Sequence, residues 1–336
     1  MSSLSTSSCF ESTATAVIAR LMLVLAFSLL LARVASARDG GQSFDFDTSA
    51  NSEPITPIPA PPPADPLVMN LGERLFEDPR LSRGNVRSCI TCHDIRLNGA
   101  GGKKHLSGLD GKPLHYAPLT VFNAALSFRL SWEGHYRTLE EQARASLLNP
   151  VIMGNPNLQE VVDRLRIDRT MVSQFEDAFG HGPDGPSLLA ALATFERSLL
   201  TPGSRFDRWL AGDPAALSHQ ELNGYHLFKS LGCVACHQGV NIGGNLFERR
   251  GIFSPLTPSD ASAAVPALLR VPSLRNIAAT PPYFHDGSAP TLSDAVRKMS
   301  RAQLNSNLTD EEVEAIVAFL GTLTGNYHGR QVGDTP

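Results

Sequence analysis

The chain has 336 residues, long enough for two ordinary domains. Hydrophobic residues make up 42% and charged residues 18%, which excludes an intrinsically disordered protein. A formal charge of -4 leaves no footprint for nucleic acid and suits a basic soluble partner.

Arg20 precedes an apolar run, Leu21 to Leu31, and Ala35 and Ala37 form an A-x-A cleavage signal. Residues 1–37 therefore read as a secretory signal peptide, with Arg38 the first mature residue. The run is short for a bilayer span; an uncleaved anchor is the alternative. Cleavage removes Cys9, Arg20, Arg33 and Glu11, leaving a formal charge of -5 and four cysteines, Cys89, Cys92, Cys233 and Cys236. Residues 38–66 are polar and then Pro-rich, and read as an extended linker stiffened by polyproline geometry.

From Leu67 the pattern turns helical: Leu71, Leu75 and Phe76 share one face, and Pro79 ends the run. Gly and Asn accumulate from Asn98 to Gly111, which reads as a long loop. Leu139 to Leu148, Leu158 to Leu165, Val172 to Phe179 and Leu188 to Leu200 read as helices separated by Pro and Gly. Ser218 with Glu221, and Thr309 with Glu312, form capping boxes before two more, and Gly325 is a plausible stop for the last. Sustained strand alternation is absent.

Two pentapeptides carry the chemistry, Cys89-Ile90-Thr91-Cys92-His93 and Cys233-Val234-Ala235-Cys236-His237. Residues at i, i+3 and i+4 of a helical turn face one way. Two thiols can then add to haem vinyl groups while the adjacent imidazole ligates iron. A redox dithiol and a zinc site are the alternatives, but zinc needs a closed set of four ligands, and each pentapeptide is already complete for haem. Each follows an amphipathic helix and precedes a Gly-rich loop, an approximate internal repeat. The expected fold class is mainly α, with two cytochrome c-like haem domains and long loops. The expected domains are 67–213 and 214–328, with a boundary near Ala211 to Ala216. The second axial position of each iron separates electron transfer from chemistry. Met69, Met153, Met171 and Met299 could fill it, and composition does not choose among them.

From about Leu67 to Gly325 the sequence resembles the bacterial di-haem cytochrome c peroxidase family, which includes the MauG-like protein-oxidising enzymes. The resemblance rests on residues 71–82, on Ala117-Pro118 with residues 120–123, on residues 132–134 and 138–142, and on Asn149-Pro150-Val151. Its most specific part runs from Val271 to Ile277, through Pro282 to Gly287, to Thr291-Leu292 and Ala295-Val296.

The resemblance implies a periplasmic enzyme with two covalently bound c-type haems. The His93 haem would react with hydrogen peroxide and the His237 haem would accept electrons from a small cytochrome c or cupredoxin. It implies Met299 as distal ligand of the second iron, where MauG-like members carry Tyr, Trp132 as a relay between the haems, and Gln142 in the distal pocket. Three positions depart from the family. Ile152 stands where peroxidases place a proton-shuttling Glu. Leu109 aligns with a displaceable distal His, for which His105 is the nearest substitute and His115 a weaker one. Tyr116 stands where the family places an Asn ligand of an interdomain calcium, leaving the carbonyls of Arg270 and Pro272 for that ion. The family often forms homodimers. The leading expectation is peroxide reduction to water. The alternatives are oxidation of an aromatic residue on a partner protein, favoured by an open first iron, and pure electron transfer, favoured by Ile152.

Overall fold

Nine α-helices carry the described residues. They are α1 (Pro66–Phe76), α2 (Leu139–Leu148), α3 (Leu158–Arg166), α4 (Arg169–Phe179), α5 (Gly185–Ser198), α6 (Arg205–Leu210), α7 (His219–Ser230), α8 (Leu292–Leu304) and α9 (Asp310–Gly321). The computed structural model describes residues 53–101, 106–257 and 268–334, all within one compact unit, Ser49–Pro336. The expected signal peptide and residues 38–52 lie outside the described residues. Strands are confined to two antiparallel ribbons, β1 (Phe247–Arg249) with β2 (Leu268–Arg270) and β3 (Asn326–Tyr327) with β4 (Arg330–Gln331). The fold is thus mainly α, as the sequence indicates.

Two hydrophobic cores organise the helices. In the first, Leu71, Leu75 and Phe76 of α1 pack against Leu188, Leu192 and Phe195 of α5, and Val161, Leu165 and Phe175 of α3 and α4 join them. In the second, Phe206 of α6, Tyr225 and Phe228 of α7 and Phe319 of α9 form an aromatic cluster, joined by Ile316 of α9. Phe206, in the second core, stacks on Trp209 and meets Tyr225 edge-on.

Both cores use the same helix crossing. A Cβ at Gly72 would stand 2.1 Å from the Ala191 carbonyl oxygen, and one at Gly224 would stand 1.9 Å from that of Ala315. Only glycine lets α1 meet α5, and α7 meet α9, at this distance.

The Pro-rich lead-in is extended, but residues 53–58 are more than a linker. Ile55 is buried in the second core. The Pro54 carbonyl accepts from Gly239 N at 2.9 Å, and the Thr56 carbonyl accepts from Arg275 Nη2 at 2.8 Å. Arg275 is fully buried, pairs with Asp207 at 2.7 Å, and donates through Nε to the Val240 carbonyl at 2.9 Å. One guanidinium thus ties the lead-in, α6 and the loop after the second pentapeptide together.

A second repeat lies in the loops before α2 and α8. Asn123 and Asn276 both take φ 60°, and both side-chain amides donate to Thr201 Oγ1, at 2.8 and 3.0 Å. Ser131 and Phe284 follow with φ 71° and 72°, and Gly134 and Gly287 with φ 66° and 63°. Thr138 and Thr291 then N-cap α2 and α8. In this register Trp132 corresponds to His285, and Ser146 on α2 to Met299 on α8.

Candidate haem sites

Each pentapeptide forms a single 3-10 turn, tighter than an α-helical one, closed by an i→i−4 bond from its His. In the first, Cys92 N donates to the Cys89 carbonyl at 3.1 Å and His93 N to the same oxygen at 2.9 Å. In the second, Cys236 N and His237 N reach the Cys233 carbonyl at 3.3 and 3.0 Å. Both cysteines and the His of each pentapeptide line one cavity.

The imidazoles are oriented by backbone. His93 Nδ1 lies 3.1 Å from the Gly99 carbonyl and His237 Nδ1 lies 3.2 Å from that of Ile242. A carbonyl only accepts, so Nδ1 carries the proton and Nε2 would be the nitrogen that ligates a metal. Burial lowers the pKa of both rings, that of His237 to about 4, which keeps them neutral as ligation requires. Burial also pushes the Cys89 thiol up, and that of Cys233 up to about 11. Thiols so protonated do not suit a redox dithiol, whose chemistry needs a low thiolate pKa. Among the described residues no three His, Cys, Asp or Glu side chains converge as a metal cluster would. A flat apolar macrocycle with one iron fits what is present: paired thiols, one neutral imidazole and an adjoining cavity.

The first cavity holds about 510 Å³ and is bordered by His93, Gln142, Ser146, Ile152 and Glu196. The second holds about 250 Å³ and is bordered by His237, Met299, Phe228 and His285. Trp132 and Arg270 line both. Trp132 is held by its Nε1, which donates to the Ala117 carbonyl at 2.8 Å, and its ring lies 6.2 Å from that of His285.

The structure gathers most of the residues singled out from the sequence. Met299 lines the cavity of His237. Met171 is buried in the first core, and Met153 lines the first cavity while packed in that core. Gln142 lines the first cavity and donates through Nε2 to Ser146 Oγ at 3.0 Å. Leu109 packs instead against the backbone of Gly154, and the exposed His115 meets the Tyr116 ring edge-on at 4.5 Å. His105 lies outside the described residues.

Sequence reasoning missed two residues here. Glu196 is buried on α5, and burial, reinforced by the negative charge of Glu140, raises its carboxyl to about 8. A lone Glu on the same face as Leu188, Leu192 and Phe195 was the signal for it. Arg270 is buried where both cavities meet, and burial lowers it to about 10; its Nε donates to the Ser131 carbonyl at 2.9 Å.

Comparison with known proteins agrees with this geometry. Residues 66–215 match the family described as di-haem cytochrome c peroxidase, and residues 222–324 match cytochrome c. The chain is 37% identical to cytochrome c peroxidase Ccp of Escherichia coli (strain K12), over 85% of this chain and 64% of that protein. It therefore spans a little under two thirds of that relative's length. It is 38% identical to cytochrome c551 peroxidase of Nitrosomonas europaea, over 82% of this chain and 86% of that one. A solved structure described as a MauG-like protein associated with microbial copper homeostasis superposes with TM-score 0.70 at 27% identity, covering 80% of this chain and 93% of that one. With two haem pentapeptides, each on its own cavity, and relatives this similar along most of its length, the chain belongs to the bacterial di-haem cytochrome c peroxidase and MauG family of oxidoreductases.

Proposed function

We propose that this is an exported, periplasmic di-haem peroxidase that reduces hydrogen peroxide to water with electrons from a small soluble cytochrome c or cupredoxin. The observation that carries the reading is an asymmetry within the repeat. The same loop and helix occur twice, but α8 presents Met299 to its cavity where α2 presents Ser146. A thioether would ligate an iron there, whereas a serine hydroxyl would leave an iron free to bind peroxide.

Bound haem would supply the redox iron, and the chain would supply everything around it. Cys89 and Cys92, and Cys233 and Cys236, form the thioether links. His93 and His237 would hold the irons through Nε2, and Met299 would be a further ligand of the second. Arg270, buried between the cavities, answers the negative charge of propionates. Trp132 borders both cavities and carries electrons between them. Gln142 and Ser146 offer hydrogen bonds to peroxide at the first site. A resident calcium is left out of this reading, because the Tyr116 hydroxyl donates to Glu133 at 2.8 Å where a carboxamide oxygen would be needed.

Steady-state peroxide consumption with reduced cytochrome c tests the proposal. Turnover should be well above background, and Trp132→Phe should lower it while leaving both haem spectra unchanged. Background turnover with both haems reducible would leave electron transfer alone as the function. A second reading, oxidation of a partner protein, is favoured by Ser146, which stands in the first cavity at the register of Met299 and would leave a first iron open. It predicts peroxide-dependent oxidation of an aromatic side chain on the partner with no cytochrome supplied.

A further inference from the structure

The position where the resemblance calls for a calcium-binding Asn holds a phenol with different neighbours. Tyr116 lines the first cavity, and its hydroxyl donates to Glu133 Oε1 at 2.8 Å. The other carboxylate oxygen, Oε2, lies 3.2 Å from His135 Nε2, and the His135 side chain is 62% exposed. Phenol and carboxylate are thus hydrogen-bonded, the imidazole stands at ion-pair distance, and the three make a file from the cavity to solvent. The Tyr116 ring also lies 6.4 Å from Trp132, 5.9 Å from His285 and 4.5 Å from His115. Trp132, which borders both cavities, therefore neighbours a phenol whose proton already points at an acceptor.

We propose that Tyr116 is a redox-active residue, the place where electron transfer through Trp132 is coupled to proton release through Glu133 and His135. The inference rests on the peroxidase reading above. Reduction of one hydrogen peroxide to two waters consumes two electrons and two protons. With no donor present, one electron is drawn from Tyr116 by way of Trp132 and the other from the iron pair, while both protons come from solvent. The Tyr116 O–H bond breaks as its electron leaves. The proton passes to the Glu133 carboxylate, so the product is a neutral phenoxyl radical and a carboxylic acid. A donor electron and the returning proton restore the phenol.

The coupling has a physical reason. A phenol with pKa about 10 becomes a strong acid once oxidised, so the electron leaves readily only where the proton has somewhere to go. Glu133 accepts it without diffusion, and His135 relays it to water. Trp132 has no such acceptor, since its Nε1–H points at the Ala117 carbonyl. An oxidising equivalent therefore moves from Trp132 to Tyr116 and rests there until a donor arrives.

The test uses the purified di-haem protein, oxidised, mixed with one equivalent of peroxide without donor and freeze-quenched for electron paramagnetic resonance. The wild type should show a tyrosyl signal that changes its hyperfine structure when the protein is produced with ring-deuterated tyrosine. Tyr116→Phe, which keeps the ring, should lose that signal with its ferric haem spectrum unaltered. Glu133→Gln keeps the phenol but not the base, and should slow the signal's appearance by about 10²-fold, the scale of a positioned proton acceptor. An unchanged tyrosyl signal in Tyr116→Phe, or no tyrosyl signal in a wild type that consumes peroxide, overturns this inference alone. A wild type that consumes no peroxide overturns the peroxidase reading and this inference together.

Discussion

Ser146 and Met299 occupy the same register on two copies of one loop-and-helix unit, each lining the cavity of its own imidazole. The difference predicts what Ser146→Met does. The first iron should acquire a thioether ligand, its spectrum should become low-spin like that of the second, and peroxide turnover should fall to background. Resonance Raman of the ferric and half-reduced protein checks the ligand, and the cytochrome-coupled assay checks the turnover. A variant with an altered spectrum but full turnover would place peroxide chemistry elsewhere.

The complementary change, Met299→His, should lower the midpoint potential of the second haem, since an imidazole favours ferric iron where a thioether raises the potential. Electron entry from the donor should slow, while peroxide reacts with the pre-reduced protein as before. Spectroelectrochemical titration of the two haems measures it; an unchanged potential would remove Met299 as a ligand.

Glu196 predicts a pH dependence of stability. Its carboxyl is raised from 4.5 to about 8, so the folded protein holds a proton there that the unfolded chain has released. Stability contributed by that proton is complete below the ordinary carboxylate range and is lost as the pH rises to about 8. At roughly 1.4 kcal/mol per pKa unit, the loss is on the order of a few kcal/mol. Denaturant unfolding of the haem-loaded protein across that window should show a downward slope, and Glu196→Gln should flatten it.

The helix crossings predict a mechanical sensitivity. A Cβ at Gly224 would overlap the Ala315 carbonyl oxygen, so Gly224→Ala must push α7 off α9. Overpacking of this kind costs about 1–3 kcal/mol. Lower thermal stability, with weaker ordering around the His237 haem, should follow, whereas Gly321→Ala, at an open position of α9, should cause no such clash.

What could be read in advance follows from how local each signal is. The pentapeptides, the capping boxes at Ser218 and Thr309 and the apolar faces of α1 and α3 are short-range patterns, and the structure contains the same helices. Trp132, Gln142 and Met299 came from resemblance, and the structure sets each on a cavity wall. The remainder depends on distant pairings. Ile55 read as part of a linker because its partners lie more than a hundred residues away in α7 and α9. Gly72 and Gly224 look like ordinary helix glycines until the crossing helix is in place. Glu133 follows Trp132 with no role visible in the sequence, since its meaning depends on Tyr116 and His135 converging on its two oxygens.

The most direct test is the intact mass of the protein produced with the c-type cytochrome maturation machinery. The account predicts a polypeptide heavier by two haem groups, by one in the Cys89→Ser/Cys92→Ser variant and by one in the Cys233→Ser/Cys236→Ser variant. A chain with all four thiols unmodified and no Soret absorption would contradict it.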